Sequence, residues 1–344
     1  MAKYPKVNYI GNKEKLVDWI IDEIPIKDGT ILDIFAGGCS VSYALKSKGY
    51  SVISNDILFA DYVIAKALIE NSNKTLSLSV FDRKVNEERV KELTEKFSFL
   101  TNCLYYPEEV QELSRLVAIS EKLKGSEKYM MLALIRRAMI RKLPYSRMNV
   151  PWNQIQKLRD EEYSYRKYKR KRAYHNQTFE SHIRENITEY NNAVFMGKPC
   201  KVFNNDALDM VKKIDYVDVV YIDPPYPSTM NNYDGFYGLF DKMFDKKKEH
   251  VDYTQRTSFI DNMNKLIRKL VGKTKYIVLS QNTHVQPEPE EIERMLKNYG
   301  KVTMKEKKHN YQVTGKEKKN ASNELLFILE MEVIDEKSKE GATV

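Results

Sequence analysis

The sequence predicts a doubly wound α/β protein with a large, mainly helical unit inserted between its second and third strands. Strand-like apolar runs occur at 30–34, 51–55, 201–204, 217–222, 276–280 and 325–330. Helix-like stretches alternate with several of these runs, a pattern typical of a mostly parallel sheet with helices on both faces. The first two runs are about 20 residues apart, which fits a single βαβ crossover. The next gap is roughly 145 residues, too long for one crossover.

That gap therefore predicts an insert. Within it we expect helices at 83–97, 107–124 and 128–143, followed by the basic and aromatic run 163–174 (YSYRKYKRKRAY). The predicted organisation is a catalytic unit formed by residues 1–75 and 196–334, an insert at 76–195, and a polar tail at 335–344.

The overall composition excludes several classes of protein. Of the 344 residues, 42% are hydrophobic and 31% are charged, so the chain can bury a sizeable core and is not disordered throughout. The net charge of +9 and the pI near 9.0 suggest a polyanionic partner. No apolar run is long enough to cross a membrane, and we expect a cytoplasmic protein without membrane contact.

Cysteine and histidine usage argues against disulfide and metal chemistry. Cys39, Cys103 and Cys200 lie far apart and form no Cys-x-x-Cys pair, and the five histidines show no ligand spacing. We therefore expect neither a disulfide framework nor a bound metal.

The first candidate site is the segment 30–39 (TILDIFAGGC). A buried strand ends at Asp33, and Phe35 and the Gly37-Gly38 turn lead into an amphipathic helix. Ligands of open α/β sheets bind at the carboxyl ends of strands, where glycines let the backbone approach them closely. An ordinary strand–helix connection is the alternative, since the G-x-G-x-x-G pattern of dinucleotide sites is missing.

The second candidate is Asp56, which ends the second predicted strand. An acidic residue about 20 positions past a glycine turn is placed to accept hydrogen bonds from a ribose diol. The alternative is an N-cap for the next helix. Together, the two features indicate a nucleoside-type cofactor without saying which one.

The third candidate, 217–226 (VDVVYIDPPY), is the most specific. The strand residues 217–222 run into Asp223, Pro224, Pro225 and Tyr226. The prolines make the loop rigid and donate no amide hydrogens. The Asp223 carboxylate and a proline carbonyl would provide two acceptors for a planar amine, and Tyr226 a face on which a ring can stack.

The order of LDIFAGG, ND and YIDPPY resembles the Dam-like, alpha-class adenine-N6 DNA methyltransferases, and the start NYIGNKEKL is similar to type IIS restriction-modification methyltransferases of the FokI kind. The resemblance implies a Rossmann-like, S-adenosylmethionine-dependent methyltransferase sheet with an inserted DNA-recognition domain. It also implies methylation of an adenine flipped out of double-stranded DNA, with catalysis by Asp223, Pro224, Pro225 and Tyr226.

The resemblance extends to the cofactor site. Tyr9 and Lys13 stand in the family's N-terminal aromatic-x-G-x-K motif, with tyrosine where tryptophan is usual. Asp206 stands where such enzymes often bind the cofactor's adenine amine, with a helix N-cap as the alternative. Asp33, Gly37, Asp56 and Asp223 complete the expected contacts. Phe35 is expected either to stack near the methionine end or to pack in the core.

The segment 140–151 (IRKLPYSRMNVP) resembles the DNA-contacting loop that follows a recognition helix. The residues expected to contact DNA are Arg137, Arg141, Tyr145, Arg147 and Asn149. Arginine neutralises phosphates and can read guanine bidentately. The alternatives are a solvated face and recognition through 163–174.

Other activities remain open at this point. Methylation of cytosine N4 or of a protein glutamine is disfavoured because those enzymes more often carry Ser or Asn at the position of Asp223. RNA adenine methylation and a silent DNA-binding module are further alternatives. A nicotinamide oxidoreductase is disfavoured by the missing glycine fingerprint. We expect a monomer, with a cognate restriction endonuclease as a candidate partner.

Overall fold

A seven-stranded sheet forms the centre of the molecule. The computed structural model describes residues 2–169, 173–227, 232–283, 285–309 and 322–332. The strands are β1 (Thr30–Asp33), β2 (Ser51–Asn55), β3 (Lys201–Phe203), β4 (Val217–Ile222), β5 (Thr274–Asn282), β6 (Gly300–His309) and β7 (Ser322–Met331). Their spatial order is β3-β2-β1-β4-β5-β7-β6. The first five strands in this order are parallel, and β7 runs antiparallel to both of its neighbours. The predicted fold class is confirmed.

All six predicted strands are present, and β2 and β4 have the predicted bounds. The strand β6 was not predicted, because its sequence (GKVTMKEKKH) is not an apolar run. Strand β6 pairs only with β7 among the described strands, and most of its side chains are exposed. Lysines on such an edge strand discourage pairing with another chain. Because these lysines replace apolar residues, the hydrophobic pattern of the sequence does not reveal β6.

Helices cover both faces of the sheet. They are α1 (Val17–Asp22), α2 (Ser40–Ser47), α3 (Phe59–Ala65), α4 (Glu87–Lys96), α5 (Pro107–Glu121), α6 (Gly125–Arg141), α7 (Trp152–Arg159), α8 (Glu161–Tyr168), α9 (Phe179–Ala193), α10 (Ala207–Val211), α11 (Tyr233–Met243), α12 (Phe259–Leu270) and α13 (Pro289–Leu296). The three helices expected early in the insert are found as α4, α5 and α6. Within the basic run 163–174, residues 163–168 belong to α8, and residues 170–172 lie outside the described residues. None of the described helices has the length and apolar character needed to cross a bilayer.

The insert shares its core with the sheet. Side chains alternate along each strand, so Ile31 of β1 faces one core and Leu32 the other. The first core continues from the sheet through α3 into α6, where every residue from Met130 to Ile140 is buried. The second core is formed with α10, α12 and α13. Since α6 packs against both α3 and α9, it joins the insert to the sheet.

Candidate active site

Three acidic residues converge at one edge of the sheet. Asp33 ends β1, Asp56 follows β2, and Asp223 follows β4. The strands β2, β1 and β4 are parallel neighbours, so their carboxyl ends lie at the same edge. The strand order changes direction between β1 and β4, because β2 and β3 follow on the far side of β1 and β5 follows on the far side of β4. Ligands of open α/β sheets bind at such a switch point.

Asp56 organises the glycine turn. Its Oδ2 accepts a hydrogen bond from the amide of Gly37 at 2.8 Å, and its Oδ1 accepts one from the amide of Leu58 at 3.0 Å. The first contact ties the end of β2 to the turn after β1. The second lies within the loop before α3 and does not cap that helix, whose N-cap residue is Leu58. Burial raises the pKa of Asp56.

Asp33 is a buried carboxyl group with spare acceptor capacity. Its Oδ2 accepts a hydrogen bond from the hydroxyl of Ser42 at 2.7 Å, whereas its buried Oδ1 has no hydrogen-bond partner among the described residues. Burial, with a smaller contribution from the carboxylates of Asp223 and Asp56, raises the pKa of Asp33 to about 7 against the lowering effect of the Ser42 hydrogen bond.

The N-terminal segment lies against the glycine turn. A Cβ atom at Gly37 would lie 2.9 Å from the Tyr9 ring, and one at Gly38 would lie 2.9 Å from the Tyr9 Cβ. The two glycines thus permit close packing of Tyr9, a reason that the sequence did not reveal. The ring of Tyr9 also stacks on Tyr237 and Tyr233, with centroids 5.0 and 5.7 Å away.

Lys13 connects this segment to the Asp-Pro-Pro-Tyr loop. Its Nζ lies 3.2 Å from Oδ1 of Asp223 and 2.9 Å from Oε1 of Glu324. The Asp223 side chain remains 20% exposed, so the site stays accessible. Burial raises the pKa of Asp223 to about 6, with Lys13 lowering it and Glu324 raising it.

The structure gives Tyr226 a different environment from the one expected. Only 5% of the residue is exposed, its ring packs at 5.3 Å from that of Phe259, and its hydroxyl donates to the main-chain carbonyl of Ser280. In this conformation the ring therefore presents no open face for stacking. Pro224 is buried and Pro225 is half-buried.

Asp206 and Phe35 each make the protein contact that one of their two interpretations requires. Asp206 caps α10 by accepting from the amide of Leu208 at 2.8 Å, and its second oxygen accepts from the amide of Val251 at 2.9 Å. Phe35 packs edge-on against Tyr253, with ring centroids 5.2 Å apart. Both residues remain half-buried, and their contact with the cofactor stays a prediction.

Two residues that the sequence interpretation missed contact the site segments. Glu324 is fully buried in β7, and a glutamate beside the apolar run LLFIL was the available signal. Arg136 is equally buried in α6 and donates to the carbonyls of Val7 and Asn8. The available signal for Arg136 was an arginine pair within the apolar stretch MMLALIRRAMI. The clustering of basic residues in the sequence groups that pair instead with the residues near the loop expected to contact DNA.

Burial separates Arg137 from the other residues expected to contact DNA. Arg137 is 2% exposed; it reaches Asn8 Oδ1 at 3.4 Å and lies 3.5 Å from Glu189 and 5.8 Å from the Tyr190 ring centroid. In this conformation the side chain is enclosed by protein, so a contact between Arg137 and DNA stays a prediction that would require the side chain to move.

The remaining four residues of the predicted DNA-contacting set reach the surface. Tyr145 is 45% exposed and has φ 60°, a left-handed conformation unusual for a bulky residue. Arg147 is half-buried beside the Tyr145 ring, and Asn149 is exposed. Arg141 is half-buried, with its Nε 3.3 Å from His182 Nδ1. These residues surround the end of α6 and the loop after it.

The fold and the site are those of an amino-group methyltransferase, because the sheet order places an Asp-Pro-Pro-Tyr loop beside a glycine turn. The chain belongs to the D12 class of N6 adenine-specific DNA methyltransferases, whose family model matches residues 9–292. This membership confirms the family, the enzyme class and the N6-adenine specificity expected from the sequence.

Named relatives agree with this assignment. The chain is 45% identical over 335 residues to the type II methyltransferase M2.HphI of Haemophilus parahaemolyticus, covering 95% of this chain and 98% of that one. It is 26% identical to the modification methylase StsI of Streptococcus sanguinis, covering 94% of this chain and 52% of the relative. For the type II methyltransferase M.FokI of Planomicrobium okeanokoites the identity is 25%, over 86% of this chain and 47% of the relative. The chain therefore spans about half the length of the last two.

Proposed function

We propose that this enzyme transfers the methyl group of S-adenosylmethionine to the N6 amine of an adenine flipped out of duplex DNA. The observation that carries the proposal is the position of Asp223 at the carboxyl end of β4, directly beside the glycine turn of β1. A base held by Asp223 and a cofactor held at the glycine turn would meet at the switch point of the sheet.

The residues at this edge fit S-adenosylmethionine. The unpartnered Oδ1 of Asp33 can accept a donor from a ligand, since a buried carboxylate oxygen gains from pairing. Asp56 would accept from the ribose diol, because each carboxylate oxygen has two lone-pair sites and its bonds to Gly37 and Leu58 use only part of them. Tyr9 would pack against the same ligand from the side of the N-terminal segment.

Asp223 and the Pro224 carbonyl would accept the two hydrogens of the target amine. The aniline-like nitrogen is a poor nucleophile because its lone pair is delocalised into the adenine ring. Two acceptors below the plane favour a pyramidal nitrogen and direct the lone pair towards the methyl group, so catalysis comes from positioning and electrostatic stabilisation. When bound, S-adenosylmethionine supplies an electrophilic methyl group on its sulfonium. The N–C bond forms as the S–C bond breaks, and the extra amine proton leaves afterwards.

For Tyr226 we propose a supporting role. Its hydroxyl attaches the loop to the carbonyl of Ser280 on β5, and its buried ring packs against Phe259. These contacts hold Asp223 and the prolines in place. A change in the side-chain conformation of Tyr226 would be needed before its ring could stack on the flipped base.

DNA would bind across the end of α6 and the loop after it. Arg141, Tyr145, Arg147 and Asn149 reach the surface there, and arginine and asparagine are residues that contact phosphates and base edges. We further propose that the enzyme acts as a monomer and protects the site of a cognate restriction endonuclease. Light scattering would test the first of these statements, and cleavage protection the second.

The decisive experiment measures the product of the reaction. The protein is incubated with methyl-labelled S-adenosylmethionine and either duplex DNA or RNA, and the nucleic acid is digested to nucleosides. We expect label in N6-methyldeoxyadenosine, and long-read sequencing should place it in one sequence context. Asp223→Asn should lose the label, whereas the surface control Asp209→Asn should retain it. Label found only in RNA, or no label at all, would contradict the proposal.

A further inference from the structure

The side chain of Glu324 is unusual for its surroundings. It is fully buried on β7, where Leu325 and Leu326 follow it in the core. Burying a carboxylate costs free energy unless it is paired, and even a paired one often adds nothing to stability compared with apolar packing. Stability alone therefore gives little reason for a glutamate at this position.

The partners of Glu324 lead to the reaction centre. Its Oε1 accepts from the hydroxyl of Ser280 at 2.7 Å and lies 2.9 Å from Nζ of Lys13. The same Nζ lies 3.2 Å from Oδ1 of Asp223. An ammonium group has three hydrogens, so Lys13 can hold both carboxylates at once.

The two ends of this arrangement differ in how firmly they are held. Glu324 belongs to a strand paired on both sides, with β5 and with β6. Asp223 lies in a loop, and its side chain is partly exposed. Ser280 adds a second connection, because its hydroxyl donates to Glu324 while its carbonyl accepts from the hydroxyl of Tyr226. Glu324 is therefore the fixed end, Lys13 the link and Asp223 the end that faces the substrate.

We propose that Glu324 is a positioning residue for methyl transfer, which holds Lys13 so that the ammonium orients Asp223 without neutralising its carboxylate. The inference rests on the proposed role of Asp223 as acceptor of the target amine. With Glu324 present, the charge of Lys13 is shared between two carboxylates. Without it, the ammonium would pair with Asp223 alone and compete with the amine for that acceptor.

The electrostatics of the site agree with this assignment. Among the described residues, the titratable groups that interact with Asp223 are Lys13, Glu324, Tyr221, Tyr233 and Asp33. Burial raises the pKa of Asp223, Lys13 lowers it, and Glu324 raises it again. Removing the charge of Glu324 should therefore lower the pKa of Asp223 and make it a weaker hydrogen-bond acceptor.

The test compares Glu324→Gln with Glu330→Gln, an exposed control near the other end of the same strand that lies 3.9 Å from Lys275. For Glu324→Gln we expect kcat to fall about 10-fold or more, by analogy with the removal of other groups that act in the transition state, while KM for S-adenosylmethionine changes less than about twofold. The acid limb of its pH–rate profile should move to lower pH. Glu324→Asp, which restores the charge, should recover part of kcat, and the control should match the wild type.

The outcomes separate this inference from the proposed function. If Asp223→Asn is inactive while folded Glu324→Gln keeps the wild-type kcat and acid limb, the role of Glu324 is wrong and that of Asp223 stands. If Asp223→Asn keeps full activity, the proposed function fails first. Should Glu324→Gln not fold, the comparison is made with Glu324→Asp, for which a wild-type kcat and an unshifted acid limb would overturn the inference.

Discussion

The guanidinium of Arg136 donates a hydrogen bond to the main-chain carbonyl of Val7 at 2.6 Å. The same side chain reaches the carbonyl of Asn8 and lies 4.6 Å from the centroid of the Tyr237 ring. Val7 and Asn8 directly precede Tyr9, which packs on the glycine turn. A helix of the insert therefore holds the N-terminal segment against the edge where we place the cofactor.

This contact predicts that Arg136→Lys weakens cofactor binding. Lysine keeps the charge but lacks the planar guanidinium, whose Nη1 bonds both carbonyls while its Nη2 lies 3.9 Å from Asp61 and its plane lies near the Tyr237 ring. We expect the Kd for S-adenosylmethionine to rise about 10-fold, a loss of roughly 1.4 kcal/mol. We also expect a lower Tm, because one ammonium group cannot replace all of these contacts. Calorimetric titration measures the first effect. Arg89→Lys, a change at a half-buried position of α4, is the control, and equal affinities in both variants would contradict the prediction.

The pKa of Asp223 predicts the pH dependence of the reaction. Its carboxylate must be ionised to accept the amine hydrogens, and burial raises its pKa to about 6. Activity should therefore be lost as the pH falls through about 6, and Asp223→Asn should lower kcat by more than about 100-fold at pH 8, where the wild-type carboxyl group is ionised. Single-turnover rates between pH 5 and pH 8 test both statements. An acid limb near pH 4 would show that the carboxyl group titrates as if it were exposed.

The raised pKa of Asp33 predicts that this side chain favours cofactor binding but lowers the stability of the cofactor-free protein at high pH. Because burial raises its pKa to about 7 in the folded protein, the folded state binds more protons than the unfolded state between about pH 4 and pH 7. Its contribution to stability is thus complete below about pH 4 and is lost as the pH rises through about 7. We expect Asp33→Asn to raise the Tm of the cofactor-free protein at pH 8 by at least about 2 °C, with little change at pH 5, and to weaken S-adenosylmethionine binding.

Thermal melts at the two pH values, with Asp209→Asn as a surface control, test the stability part of this prediction. A Tm increase of the same size at pH 5 and pH 8 would show that the titration of Asp33 is not its cause.

The arginines of the insert differ in burial, which predicts that replacing the surface ones affects DNA binding and replacing the buried one affects stability. Arg141→Ala and Arg147→Ala should each weaken DNA binding and reduce the slope of log affinity against log salt by about 0.9 for each phosphate that the variant no longer neutralises. Arg137→Ala should instead lower the Tm, because it empties a buried site and removes the partner of Asn8 and Glu189. DNA titrations at several salt concentrations distinguish the two groups. An unchanged slope for both surface variants would place DNA recognition elsewhere, for example along 163–174.

The sequence alone determined the sheet and the position of the candidate site segments on it. Buried parallel strands read as apolar runs, and a specific string such as Asp-Pro-Pro-Tyr identifies the loop after β4, so local pattern was enough for both. It also indicated the insert, because a gap of that length cannot be one crossover. The edge strand β6 was not predicted, since a charged, exposed strand has no hydrophobic signal.

Only the tertiary structure decided which polar residues act together. Arginine and glutamate are normally exposed, so the sequence placed Arg136 and Arg137 with the DNA-facing cluster and overlooked Glu324. Their burial depends on segments distant in the chain, namely residues 7–13 for Arg136 and Glu324 and the α9 helix for Arg137. The glycines of the turn likewise owe their close contact to Tyr9. Such pairings arise when the sheet and helices pack, because packing brings together charges whose separation along the chain carries no pattern.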